Sequence, residues 1–341
     1  MRVFPLLAAF SLLPLGSEGA AVTPVGLYWS IEPHERGSAG EIEFTLIHNR
    51  GDSQSIHTSP MPVAALEGLA PAQLDSRADV PVRFRLGREA GAFDCEGSMR
   101  LRRGRGECRF IPDPRFVAEL ERRGIGTAAE AQLVQLSVGG VGHGFLDEAE
   151  RQGYPRPSIE ELLRAANHGA GLDYLRAIGR LGYRPGTLAE LVRMRDHGVT
   201  ADYVGALAEL GYSGLSAEEV VRLRDHGVSA DYVRELAEHG IGSLPAAELV
   251  RLRDHGVGAD YVGRVRRLGF ASLGTDDLIR MRDHGVSADY LAELVALGYG
   301  DLTPDEIVRL RTHGVTAEFI RRSSAGGRRS ADELVRLRTG G

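Results

Sequence analysis

Two short markers recur in this sequence every 29 residues, and their spacing constrains the fold more than any other feature. One marker is the dipeptide His-Gly, and the other is a glycine followed by an aromatic residue or isoleucine. The histidines of the first marker are His168, His197, His226, His255, His284 and His313, and the glycines of the second are Gly124, Gly153, Gly182, Gly211, Gly240, Gly269 and Gly298. A fixed period of this length is typical of proteins built from tandem structural repeats.

The unit of residues 200–229 shows why each repeat is predicted to form two short helices. Thr200 is a suitable N-cap for the first helix, and Gly211 is a suitable residue to end it. Ser216 and Glu219 have the spacing of a capping box, which marks the start of the second helix. Helices of about 8–10 residues are too short to be stable alone in water, so each pair is expected to pack against its neighbours.

The region from residue 113 to residue 341 is therefore predicted to be an α-solenoid of about eight 29-residue helix pairs. First helices are predicted to start near residues 114, 143, 172, 201, 230, 259, 288 and 317. The capping-box spacing recurs at Thr127/Glu130, Ser158/Glu161, Thr187/Glu190, Ser216/Glu219, Thr303/Glu306 and Ser330/Glu333, whereas Pro245 and Gly274 depart from it. The first and last units are atypical, as is expected at the ends of an array.

Residues 22–111 differ from the array, because apolar and polar residues alternate there as they do in half-buried strands. Strands are predicted at Val25–Ile31, Glu41–Ile47, Pro81–Leu86, Ala92–Met99 and Glu107–Ile111, with a short helix or loop at Pro62–Leu74. We interpret this region as a small antiparallel β domain of about five or six strands. The chain as a whole is then α+β and mostly α.

The two cysteines of the chain, Cys95 and Cys108, are predicted to form a disulfide. Phe93 and Cys95 lie on one face of a predicted strand, and Cys108 and Phe110 lie on one face of the next. A hairpin that sets Phe93 opposite Phe110 also sets Cys95 opposite Cys108. Two thiols alone are too few for a structural zinc site, whereas a disulfide suits an exported protein.

The first 21 residues are typical of an export signal. Arg2 is followed by an apolar stretch from Val3 to Leu15 and then by small residues. A buried N-terminal helix is the alternative interpretation. An export signal predicts a periplasmic or secreted bacterial protein, and no later stretch is long and apolar enough to predict stable membrane insertion. The net charge of −6 argues against a nucleic-acid partner.

The six histidines of the His-Gly marker have a structural and a functional interpretation. Each follows the last turn of a second helix, where a side-chain donor can bind the final carbonyls and interact with the helix dipole. Stacked helices lie about 8–10 Å apart, whereas two imidazoles must each approach a zinc ion to about 2 Å. We therefore favour a structural role at the repeat turn, and a metal-binding or pH-sensitive role is the alternative.

Second helices from Arg193 onwards carry arginine pairs such as Arg193/Arg195 and Arg222/Arg224, which we expect to lie on solvated faces or to bridge repeats. The first arginine follows an acidic residue at a spacing of three, which predicts an ion pair within the helix. These pairs are Glu190/Arg193, Glu219/Arg222, Glu248/Arg251, Asp277/Arg280 and Glu306/Arg309. A groove for an anion or an acidic partner is the alternative interpretation.

The repeat motif resembles that of one known family. The segment Leu-Val-Arg-Met-Arg-Asp-His-Gly-Val-Thr-Ala-Asp-Tyr-Val at 191–204 and its counterpart at 221–233 resemble helical repeats in the extracytoplasmic part of BlaR/MecR-like bacterial membrane metallopeptidase antirepressors and related exported proteins. Residues 91–97, leading into Phe110–Pro114, resemble the β module that precedes those repeats. The resemblance implies an extracytoplasmic sensing or interaction module. It implies no peptidase activity, because that family's zinc motif and membrane helices are absent from this sequence.

These patterns together predict an exported scaffold for protein–protein interaction, without catalytic activity, cofactor or metal. The sequence contains no HExxH, GxSxG, P-loop or Rossmann pattern. One alternative is a ligand-sensing module of envelope signalling, in which the β domain holds a small molecule and the helices relay to a partner. An enzyme that uses none of these motifs is a further alternative.

Overall fold

A computed structural model describes residues 26–34, 40–50, 53–324 and 327–340. The chain divides into two compact units between Pro112 and Asp113. The first unit is an antiparallel β-sheet, and the second is a repeated array of helices. The predicted export signal at residues 1–21 lies outside the described residues.

The first unit is one curled antiparallel sheet with seven strands among its described residues. The strands are β1 (Gly26–Pro33), β2 (Glu41–Asn49), β3 (Gln54–Pro62), β4 (Leu66–Glu67), β5 (Val80–Arg88), β6 (Gly91–Arg100) and β7 (Arg103–Pro112). They lie in the order β3-β2-β1-β7-β6-β5-β4, so β3 and β4 form its two edges. A turn of 3-10 helix at Val63–Ala65 and the four-residue helix α1 (Pro71–Leu74) lie between β3 and β5.

The predicted number of five or six strands is wrong, because the two edge strands were missed. Strand β3 is exposed on both faces along most of its length, so no buried face imposes an apolar alternation on its sequence. Strand β4 has only two residues. The Pro62–Leu74 segment, predicted as a short helix or loop, contains β4 and α1.

The core of the sheet is built around Trp29, which is almost fully buried. Its indole lies over Gly97 and Gly106, which face each other on β6 and β7. A Cβ atom added at Gly97 would lie 2.8 Å from the indole ring, and one at Gly106 would lie 2.7 Å from it. The indole Nε1–H donates to the carbonyl of Glu96 at 3.1 Å. Only glycine leaves room for the ring at these two positions.

The predicted disulfide between Cys95 and Cys108 is confirmed. The two residues face each other on β6 and β7, and Phe93 faces Phe110 two residues along each strand. The two phenyl rings have their centroids 5.1 Å apart. The bond therefore ties the central strand β7 to its neighbour β6.

The second unit contains sixteen helices among its described residues, arranged as eight pairs. First helices carry even numbers and second helices odd numbers: α2 (Pro114–Arg122), α3 (Glu130–Val138), α4 (His143–Arg151), α5 (Ile159–Asn167), α6 (Leu172–Arg180), α7 (Leu188–Asp196), α8 (Ala201–Glu209), α9 (Ala217–Asp225), α10 (Ala230–Glu238), α11 (Ala246–Asp254), α12 (Ala259–Arg267), α13 (Thr275–Asp283), α14 (Ala288–Ala296), α15 (Pro304–Thr312), α16 (Ala317–Ser323) and α17 (Ala331–Thr339). The first helices begin at the predicted positions. From α4 onwards each first helix contacts the next first helix, and from α3 onwards each second helix contacts the next second helix.

Capping boxes start most of the second helices. Five of the six predicted boxes form, at Ser158, Thr187, Ser216, Thr303 and Ser330. The sixth, Thr127/Glu130, is wrong, because α3 itself begins at Glu130 and its N-cap residue is Ala129. There Gln132 supplies the acceptor and receives the Ala129 N–H at 2.9 Å. Pro245 and Gly274 cap without a side-chain hydrogen bond, as predicted.

The His-Gly-Val sequence ends the five second helices α7, α9, α11, α13 and α15 in a fixed turn. In α7 the C-cap residue is His197, and Gly198 follows with φ +68°, a left-handed conformation that favours glycine. The Gly198 N–H donates to Arg195 and the Val199 N–H to Met194, which is the Schellman pattern. Val199 is fully buried, so the turn also contributes to the core.

Candidate functional site

Four of the marker histidines reach across to the next repeat. Each Nδ1 atom contacts the carboxylate of an aspartate at the end of the following second helix, at 2.6–2.8 Å. The pairs are His168–Asp196, His197–Asp225, His226–Asp254 and His255–Asp283, and we call them the His–Asp ladder. Both side chains of each pair are exposed by roughly two fifths, so the ladder lies on the surface.

The other two marker histidines have different partners, because threonine replaces aspartate in the later repeats. The Nδ1 atom of His284 lies 3.5 Å from the hydroxyl of Thr312. His313 turns back to its own helix, where its Nδ1 atom contacts the Arg309 carbonyl at 2.9 Å. The contact of His313 is the kind that the sequence predicts for all six. Across the described residues, no group of three or more His, Cys, Asp or Glu side chains is placed to hold a metal ion.

From α7 onwards, the second arginine of each second helix packs over an aromatic ring of the first helix in the same pair. In α9 the Arg224 guanidinium lies 5.3 Å from the ring centroid of Tyr203 on α8. The Tyr203 hydroxyl donates to the carbonyl of Val228 at 2.7 Å. Burial raises the pKa of Tyr203 to about 12. The stack recurs as Arg195/Tyr174, Arg253/Tyr232, Arg282/Tyr261, Arg311/Tyr290 and Arg338/Phe319.

Two of these arginines also reach back to the preceding repeat. The Nε–H of Arg282 donates to the Gly256 carbonyl at 3.0 Å, and that of Arg311 donates to the Gly285 carbonyl at 2.9 Å. These carbonyls belong to the His-Gly turns of the preceding pair. One guanidinium therefore stacks within its own repeat and hydrogen-bonds to the one before it. The sequence predicts bridging between repeats, but the stacking on tyrosine was missed.

The first arginine of the second helix bridges repeats only late in the array, in α11, α13 and α15. Arg251 contacts Asp276 of the next second helix at 2.6 Å, and the same contact joins Arg280 to Asp305 and Arg309 to Asp332. We call these three pairs the Arg–Asp ladder. The residue that corresponds to Asp276 one repeat earlier is Ala247, which has no carboxylate to offer Arg222.

The predicted ion pairs within second helices form in two cases. Arg251 lies 3.3 Å from Glu248, and Arg280 lies 3.8 Å from Asp277. In three other helices the predicted acidic partner accepts capping-box hydrogen bonds instead, as the structure shows for Glu190, Glu219 and Glu306. The helix start therefore competes with the arginine for the same carboxylate.

The recurring side chains contrast with a row of exposed positions that changes from repeat to repeat. In α6, α8, α10, α12 and α14 the last residue of the first helix is exposed, and its charge varies among these repeats. We call this set the variable row: Arg180, Glu209, Glu238, Arg267 and Ala296. The sequence analysis did not predict the variable row, because a repeat is recognised from the residues that recur and not from those that differ.

The sheet carries a depression of about 730 Å³ on its charged face. Its lining includes Arg85 and Asp94, which pair at 2.7 Å, and Arg83 and Glu96, which pair at 3.4 Å. Small-molecule pockets usually combine a mostly apolar lining with a few polar groups. Here guanidinium and carboxylate groups line the depression and largely satisfy one another.

The fold and these ladders define a repeat protein, with an antiparallel sheet preceding a repeated helical array. No protein-family model matches the chain, and no curated protein is significantly similar to it in sequence. None of the helices that the structure describes is long and apolar enough to cross a membrane.

Proposed function

We propose that this chain is an exported scaffold for protein–protein interaction whose helix pairs stack as an α-solenoid. The observation that carries the proposal is that its polar side chains fall into two groups, one that holds the repeats together and one that is exposed and varies. The recurring His, Asp, Tyr and Arg residues contact their own or a neighbouring repeat. The exposed variable row differs in charge from one repeat to the next. A constant framework with a varying surface is how repeat proteins build specific binding faces.

The stacking part of the proposal rests on burial between successive pairs. Leu223 and Leu252, at the same position of α9 and α11, are fully buried, and α9 contacts both α7 and α11. Helices of nine residues cannot cover such an apolar stripe alone. We expect removal of residues 201–229, which joins Thr200 directly to Ala230, to leave a folded protein with one pair fewer. Loss of helical circular dichroism in this deletion would contradict the stacking.

The binding part is tested by reversing charges on the variable row. The purified chain, carrying a photo-crosslinker beside Glu238, is used to capture proteins from an envelope extract of the source organism. Each captured protein is then purified and titrated against the chain by calorimetry. We expect the triple variant Glu209→Arg, Glu238→Arg and Arg267→Glu to weaken the binding of a true partner by about tenfold or more.

The matched control changes arginines that belong to the constant framework but not to the Arg–Asp ladder. We expect Arg193→Glu with Arg222→Glu to leave the affinity within about threefold of the unmodified chain. Equal loss in both variants would show that the effect is not specific to the variable row and would overturn its assignment as the binding surface. If no captured protein binds after purification, the scaffold proposal fails.

The second candidate function is ligand sensing, and the depression on the sheet is the observation that favours it. A zwitterionic ligand could place its anionic group against Arg85 and its cationic group against Asp94, in place of the ion pair that these two side chains form with each other. The test is a small-molecule panel in a thermal unfolding assay. A compound that raises the melting temperature of the unmodified chain, but not of Arg85→Gln, supports sensing, and the absence of any such compound excludes it. The resemblance to extracytoplasmic antirepressor modules is compatible with either function and stays a prediction.

A further inference from the structure

The edge strand β3 exposes backbone hydrogen-bonding groups that no described strand uses. It lies at the end of the strand order, beside β2 only. Two hydrogen bonds at the ends of the β2–β3 ladder show which residues of β3 bond to β2. Val63 N–H donates to the Gly40 carbonyl, and Arg50 N–H donates to the Ser53 carbonyl. Because bonded pairs alternate in antiparallel sheets, the odd-numbered residues of β3 bond to β2 and the even-numbered residues point their N–H and C=O groups outward.

Prolines restrict which part of this edge can accept another strand. Pro60 and Pro62 fall at outward-facing positions and have no N–H to donate. Gln54, Ile56 and Thr58 are the outward-facing residues of β3 that retain an N–H group, and all three are exposed. A strand added to this edge is therefore confined to a short segment centred on Ile56.

The side chains around Ile56 are apolar although they lie on the outer face of the sheet. Tyr28, Ile47 and Ile56 face one another across β1, β2 and β3, so they form one cross-strand row. Tyr28 and Ile47 are half-buried, whereas Ile56 is 61% exposed, more than any other large apolar side chain described. The apolar row thus ends at the open edge with its most exposed member.

From Gln54 to Ser59, strand β3 also lacks the features by which proteins usually protect an open sheet edge from pairing. Natural edge strands carry charged residues, prolines or bulges that oppose pairing. The segment from Gln54 to Ser59 contains no Lys, Arg, Asp or Glu, and the prolines lie outside it. Two copies of this segment can therefore approach one another without repulsion between like charges.

We propose that β3 pairs with β3 of a second copy of this chain, antiparallel and with a two-fold axis at Ile56. In this register Ile56 faces Ile56 of the second copy, and Gln54 faces Thr58 of the second copy. Ile56 exchanges hydrogen bonds with its counterpart, and the two Gln54–Thr58 pairs on either side do the same. The two prolines lie beyond the paired segment. The apolar row continues across the axis, and aliphatic side chains directly opposite each other stabilise an antiparallel pair. This proposal concerns the sheet and does not depend on the function proposed for the helical array.

The first test measures the mass of the purified full chain by sedimentation equilibrium over a wide concentration range. We expect a reversible dimer, and Ile56→Arg should weaken its association by at least about tenfold, because the two-fold axis sets the new charges side by side. Leu101→Arg is the matched control, since Leu101 is another exposed large apolar side chain of the same unit, at 51%, and lies in the turn between β6 and β7, away from β3. A chain that stays monomeric throughout, or a dimer insensitive to Ile56→Arg, overturns the proposal.

The second test fixes the register by cross-linking. The described chain has no free cysteine, so an introduced thiol is unique among the described residues. Ile56→Cys should give a covalent dimer with a short bismaleimide, because position 56 faces itself. Gln54→Cys alone should give little, whereas Gln54→Cys with Thr58→Cys should give a dimer again. Efficient cross-linking through Gln54→Cys alone would contradict the proposed axis even if the chain dimerises.

Discussion

The early and late repeats of the array bury the same apolar positions but tie neighbouring pairs with different polar contacts. The His–Asp ladder runs from His168 to Asp283, and the Arg–Asp ladder runs from Arg251 to Asp332. Two substitutions of the repeat pattern contribute to this difference. Thr312 replaces the ladder aspartate late in the array, and Ala247 stands early where later repeats have an aspartate.

The glycine turns and the core do not follow this change. The glycine of the His-Gly turn keeps φ between +67° and +71° from Gly198 to Gly314. Leu223 early and Leu310 late are both fully buried. Exposed ion pairs contribute about 0–1 kcal/mol each, whereas a buried leucine contributes several times more. The difference between the two regions therefore teaches that turns and apolar positions set the repeat, and that either ladder is sufficient as a polar tie.

Alkaline pH gives the largest expected effect, because it acts on the tyrosines of both regions at once. Burial raises the pKa of Tyr174, Tyr203, Tyr232, Tyr261 and Tyr290 to about 12 each. An unfolded tyrosine ionises near pH 10. The stability from these groups is therefore fully present below pH 10 and is lost as the pH rises from 10 to 12. We expect cooperative unfolding in this window, with circular dichroism and tyrosinate absorbance changing together. Tyrosinate formation in a still helical protein would contradict it.

Truncation of a buried leucine tests whether the two regions share one core. We expect Leu223→Ala and Leu310→Ala each to lower the free energy of unfolding by about 2–5 kcal/mol. Both side chains have no exposed surface. Urea unfolding followed by circular dichroism gives the two values. A loss confined to one of the two variants would mean that the regions differ in packing as well as in polar contacts.

Removal of a tyrosine hydroxyl has a smaller effect and comes with a control inside the array. Tyr203→Phe loses the hydrogen bond to the Val228 carbonyl, which leaves that acceptor without its donor. We expect it to lower the free energy of unfolding by about 1–2 kcal/mol. The hydroxyl of Tyr261 is buried without a hydrogen-bond partner, so Tyr261→Phe should be neutral or stabilising. Both free energies are measured by urea unfolding. Equal losses at the two positions would contradict the view that the Tyr203 hydroxyl is hydrogen-bonded and the Tyr261 hydroxyl is not.

The sequence predicted the helical array well because its period repeats a complete set of local signals. A Ser or Thr cap, a Glu three residues later and a glycine after the last turn each act within one helix. The cap predicted at Thr127 is wrong although the local pattern favours Thr over Ala129, which is the N-cap residue in the structure. Strand β3 was missed for a different reason, because an edge strand that is exposed on both faces has no alternation of apolar and polar residues.

Contacts between repeats were predicted less well, although the sequence contains a signal for them. An aspartate precedes each of four marker histidines, so a histidine and the aspartate of the next repeat are always 28 residues apart. That spacing predicts a contact only once the packing of second helices on one another is known. The stack of Arg224 on Tyr203 likewise depends on the angle between two helices, which local patterns do not fix.

Grafting the missing aspartates has the smallest expected effect and sharpens the comparison most directly. Thr312→Asp should give His284 the partner that the four earlier histidines have, and we expect a gain of about 0.2–1 kcal/mol in the free energy of unfolding. Ala247→Asp should give Arg222 the contact that Arg251 makes with Asp276. Because both grafts lie at the surface, the gains should be largest at low ionic strength and fade in about 0.5 M salt.

Asp225→Asn is the matched loss, since it removes the carboxylate that faces His197 and keeps the shape of the side chain. A gain from Thr312→Asp that persists at high salt, or in a His284→Ala background, would show that helix propensity and not the ladder is responsible.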